Sequence, residues 1–169
     1  MMVSVDSRAP RDLLLAVVFL FGLIGLSRLI GLPGNFTPII AGAVFLPIIS
    51  RGRHLVILPV LVMFVTDLFL GFHATMAYTY GAIFLISVSA NYFKFSLIYK
   101  ALVGVLVWHL IVNFGVYIQS DPVRSLVDVY VSAWPFDFRT LVSTLLFTSL
   151  FWLIRKTSNR FIATFYAGR

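Results

Sequence analysis

Apolar residues fall in long blocks along this chain, closed by basic or turn-forming breaks. A helix that crosses a bilayer needs about 20 predominantly apolar residues, fewer where a bundle shields its ends. The blocks predict spanning helices near 13–32, 37–50, 54–71, 75–93, 97–118 and 140–154, the second and sixth short. Thr37 suits an N-cap and Pro38 the first helical position of the second block. Pro59, inside the third, predicts a kink, which a membrane bundle tolerates because neighbours satisfy the freed carbonyl.

Segment 122–134 has a different pattern. Val123, Leu126, Val127, Tyr130, Val131 and Trp134 share one helical stripe, while Arg124, Ser125, Asp128 and Ser132 fall mostly on the other faces. Asp121 before Pro122 is a helix start. Length and polarity predict a short helix lying at the outer interface, where it would cover a site. The expected fold is therefore all-α: one integral membrane domain over residues 1–169, with six transmembrane helices and one interfacial helix.

Composition supports this. Apolar types make up 60% of the chain and charged types 11%, against roughly 25% in a soluble domain. The net charge of +7 does not point to nucleic acid, because the basic residues sit at the ends of apolar blocks. Six spans place Arg8, Arg11, Arg51, Arg53, Lys94, Lys100 and the basic tail on one side, leaving Arg28, Arg124 and Arg139 on the other. The positive-inside rule then puts both termini in the cytoplasm of a bacterial inner membrane. The first block, preceded by Arg8 and Arg11, is long for a signal-peptide core and reads as a retained helix.

Candidate chemistry gathers at the outer end. Asn35, Asp67, His73, Tyr78, Asn113, Asp121, Asp128 and Asp137 all belong to outer half-helices or loops. An ionisable group within a span costs about 2.5–3.5 kcal/mol on insertion scales and faces the bundle interior or a wet cavity. Asp67 is read either as a ligand-contacting carboxylate or as the partner of Arg28, which lies at similar depth. His73 could coordinate a metal or hydrogen-bond a solute, or be an interfacial histidine making an ordinary cap. His109 and Asn113, one turn apart, are either solute ligands or hydrogen-bond glue between helices. The chain lacks cysteine, glutamate, H-E-x-x-H, a phosphate-binding G-x-x-x-x-G-K and a G-x-S-x-G elbow, so no enzyme, cofactor or metal site is expected.

Several strings occur in a set order: Asn35-Phe36-Thr37-Pro38, then Thr66-Asp67 through Gly71-Phe72-His73-Ala74-Thr75-Met76, then Asn113-Phe114-Gly115-Val116 and Pro135-Phe136. Together they resemble an uncharacterised bacterial six-helix membrane family. That family is in turn similar to the S components, the substrate-binding subunits, of energy-coupling-factor vitamin transporters. Thr66, Tyr117 and Asp137 depart from the family's usual serine, tryptophan and phenylalanine. The resemblance implies an S-component-like bundle with an outer solute site, and a transmembrane coupling protein with two ATPases as partners.

The expected function is capture of a small polar solute, such as a vitamin or cobamide, for uptake through the membrane. Its expected ligand residues are Asn35, Asp67, His73, Tyr78, His109 and Asn113. The alternative is a small accessory or assembly subunit of a larger membrane complex. A cavity in the outer half favours capture, and a filled core favours the subunit.

Overall fold

Helix α2, Ile39–Ile49, is enclosed by its neighbours. Every residue from Ile39 to Leu46 is buried, apolar positions on all sides included, as expected of a helix without a polar face. The computed structural model describes residues 18, 22–32, 34–49, 56–119 and 124–167. Around α2 stand the helical segment 22–29 (α1), Leu58–Leu70 (α3), Met76–Tyr92 (α4), Leu97–Gln119 (α5) and Leu126–Ala167 (α6). Among the described residues the protein is all-helical.

Close approach depends on small side chains. A Cβ on Gly104 of α5 would meet Ile40 of α2 at 3.1 Å and Ile86 of α4 at 3.2 Å. One core joins Ile24, Ile40, Val44, Val62, Ile83, Ile86, Val105 and Trp108, and a second joins Ala41, Phe45, Leu46 and Phe151. Outside, the protein is equally apolar: Phe69, Phe84, Leu106, Trp134 and Leu153 are all exposed.

Most helix boundaries lie close to the sequence expectation. Hydrogen bonding in α2 begins when Gly42 N–H donates to the Pro38 carbonyl at 2.8 Å, in keeping with a proline at the helix start. Much of the first expected span lies outside the described residues, as does Asp121.

Two expectations are corrected. Pro59 sits in the first turn of α3 rather than inside it, where its missing N–H costs no hydrogen bond, so it does not kink the helix. Segment 122–134 is not a separate flat helix: from Leu126 onward it is continuous with α6, and Pro135 lies inside. It is held there because Val129 is buried and the Tyr130 hydroxyl donates to the Leu110 carbonyl at 2.7 Å. Its supposed buried stripe is exposed at Leu126, Val127, Val131 and Trp134. Among the described residues, α5 and the Leu126–Thr157 stretch of α6 are the helices long and apolar enough to cross a membrane. At 11 and 13 residues, α2 and α3 extend only about 16 and 20 Å.

Candidate functional site

A cavity of about 350 Å³ opens at the end of the bundle where α1 and α3 finish and α2 and α4 begin. From α1 come Ser27 and Arg28, from the following loop Asn35 and Thr37, from the α3–α4 connection His73 and Thr75. Thr79 of α4, Trp108 and Val112 of α5, and Thr140 of α6 close the walls. Among the described residues, the lining mixes hydroxyls, one amide, one imidazole and one guanidinium with apolar surface, and includes no carboxylate.

Local geometry explains how these groups reach the cavity. Gly71 ends α3 with φ 93, a left-handed conformation open to glycine, and its N–H donates to the Asp67 carbonyl at 2.9 Å. The chain can then turn sharply and deliver His73. Asn35 is also left-handed, at φ 67, and asparagine tolerates this better than other residues with a Cβ. Its carbonyl lies 3.5 Å from the Ser143 hydroxyl of α6, which also reaches the Thr37 carbonyl at 3.3 Å. His73 Nε2 lies 3.4 Å from the Thr79 hydroxyl, which donates to the Thr75 carbonyl at 3.1 Å.

Asp67 stands behind the lining, 1% exposed. Its Oδ1 accepts from Arg28 Nη2 at 2.5 Å and its Oδ2 from the Tyr80 hydroxyl at 2.6 Å. Both carboxylate oxygens are therefore engaged by α1 and α4, as a buried charge requires. The other terminal nitrogen of Arg28, Nη1, is buried without a hydrogen-bond partner.

A second polar cluster lies on a different face of α5. Asp137 Oδ2 is 2.6 Å from His109 Nδ1 and accepts from Asn113 Nδ2 at 2.8 Å. The imidazole also packs edge-on against Tyr130, with ring centroids 5.2 Å apart. None of these four residues lines the cavity. The cluster ties α5 to α6, the bonding role that was one of its two sequence readings.

Of the six expected ligand residues, then, Asn35 and His73 line the cavity and Asp67 supports it through Arg28. Tyr78, His109 and Asn113 do not reach it. Tyr78 instead occupies the space over Gly115, where a Cβ would come within 2.5 Å of its Cδ2. No residue from 124 to 134 lines the cavity either, which removes the expected lid. Reading the sequence missed Tyr80, Thr79 and Thr140. A signal for Thr140 exists: Asp137, Thr140, Thr144 and Thr148 recur at helical spacing and are all buried on one face of α6. Among the described residues, no group of three potential ligands could hold a metal ion.

A family model described as a family of unknown function (DUF6580) matches residues 7–163. No curated protein and no solved structure matches the chain.

Proposed function

The chain belongs to the DUF6580 family, and we propose that it is a multi-pass protein of the bacterial cytoplasmic membrane that captures a small polar solute for uptake. The carrying observation is the cavity: at about 350 Å³ it falls in the range of small-molecule sites, roughly 300–1,000 Å³, with convergent polar groups on an otherwise apolar wall. Exposed phenylalanine and leucine on α3, α4, α5 and α6 support a lipid environment. In this reading all six helices lie within the membrane. The short α2 is possible because its neighbours enclose it on every side. The partition of basic residues supports a topology with both termini inside and the cavity at the outer face.

The resemblance to energy-coupling-factor S components is part of this proposal and rests on the sequence motifs alone. It adds a vitamin or cobamide as the solute class, and a coupling protein with ATPases as the source of energy. Native mass spectrometry of protein extracted in a mild detergent tests the capture role. One small molecule retained per chain supports it. Bare protein, or protein held only in a larger protein complex, favours the accessory-subunit reading and overturns capture.

A further inference from the structure

Resting on the capture reading, we infer that the solute enters with an anionic group, a carboxylate or phosphate, directed at Arg28. The helix ends cannot set the sign of the cavity, because α2 and α4 begin there while α1 and α3 end there. Side-chain charge decides it. Among the described residues, Arg28 is the only lysine, arginine, aspartate or glutamate in the lining. Asp67 neutralises it from behind and stays out of the lining, one oxygen engaged by Arg28 and the other by Tyr80. The ion pair thus presents its positive member to the cavity.

Arg28 also has hydrogen-bonding capacity that the protein leaves unused. Nη1 has no partner, although its side chain is only 14% exposed, and an unsatisfied buried charged donor is costly. A guanidinium held on one side by a carboxylate keeps its remaining donors in a fixed plane, suited to the oxygens of an acid. Ser27, Thr37, Thr75, Thr79 and Thr140 bring hydroxyl groups to the same walls. A cationic solute would meet Arg28 with no carboxylate among the described lining residues to balance it. The shared chemistry fits either a free acid or an acidic lipid headgroup.

The test uses the full chain in phosphatidylcholine nanodiscs. Binding of inorganic phosphate and of a series of small carboxylic acids is measured by calorimetry, each acid beside its neutral primary amide. The acids should bind and the amides should be weaker by about tenfold or more. Because removing Arg28 alone strands Asp67, the decisive variant is Arg28→Gln combined with Asp67→Asn, which keeps a neutral hydrogen-bonding pair. It should fold with a transition close to wild type and lose the preference for acids.

Nanodiscs containing phosphatidylglycerol separate the two sources. A phosphatidylglycerol molecule retained in native mass spectra of the wild type, absent from the double variant and blocking the acids, identifies a lipid headgroup. Unchanged acid binding identifies a free solute. Equal affinity for acids and amides, or acid binding that survives in the double variant, overturns the anion inference and leaves capture standing. If no compound of any charge binds and no molecule is retained from the native membrane, capture itself fails.

Discussion

The Tyr80 hydroxyl donates to the Asp67 oxygen that Arg28 leaves free, at 2.6 Å. A tyrosine on α4 therefore finishes the satisfaction of an ion pair formed between α1 and α3, and three helices are fixed by one carboxylate.

Removing that carboxylate should be expensive. Asp67→Ala leaves Arg28 charged and unpaired, at a cost of about 3–5 kcal/mol. Tyr80→Phe removes one hydrogen bond to a charged group, a loss of about 1.5–3 kcal/mol. Thermal unfolding in detergent should rank wild type above Tyr80→Phe and Tyr80→Phe above Asp67→Ala. Equal transitions for all three would show that the pair contributes nothing to holding the bundle.

Gly115 and Tyr78 provide a test of packing. Gly115→Ala forces a methyl group into the Tyr78 ring, and overpacking of this kind costs about 1–3 kcal/mol. Adding Tyr78→Ala should relieve part of that loss. Tyr78→Phe should match wild type in both stability and solute retention. A drop in retention with stability intact would restore Tyr78 to the ligand set.

For Asn35, backbone and amide can be separated. Asn35→Gly keeps the left-handed conformation, whereas Asn35→Ala pays about 1–2 kcal/mol for it. Only the alanine variant should melt earlier. If both lose solute retention equally, the amide is a ligand group; if neither does, Asn35 serves the backbone alone.

Topology can be read directly. A reporter active only in the cytoplasm should be active when fused after Arg169, and a periplasm-specific reporter should be active when inserted near Gln119. The reverse pattern would place the cavity on the cytoplasmic side.

What the sequence conveyed depended on how far apart the partners lie. The edges of α4 and α5 follow from local composition and were legible to within a residue or so. The Arg28–Asp67 pair was among the readings because both residues end apolar blocks at the same depth. Continuity of α6 was hidden, since Pro135, Asp137 and Arg139 look like a break between helices. Asp137 is accommodated by His109 and Asn113 on α5, and Arg139 lies over the Phe136 ring at 5.2 Å. Helix phase was hidden for a different reason. In α4 polar Thr79 and Ser87 are buried along with Ala82, Ile83 and Ile86, while the apolar Phe84 and Leu85 face outward. Where both sides of a helix meet nonpolar surroundings, hydropathy loses its direction, and Tyr78 could not be told from Tyr80.

Thr140 touches the cavity about one third of the way along α6, and from there the helix runs to Ala167 without proline or glycine. That stretch is a rod of about 40 Å. Anchored this way, α6 has the proportions of a lever with its fulcrum near the cavity: a tilt about Thr140 sweeps the far tip through roughly twice the arc of the near one, given 1.5 Å per residue. A displacement too small to alter the bundle's outline at the cavity would be magnified at the opposite end of the protein.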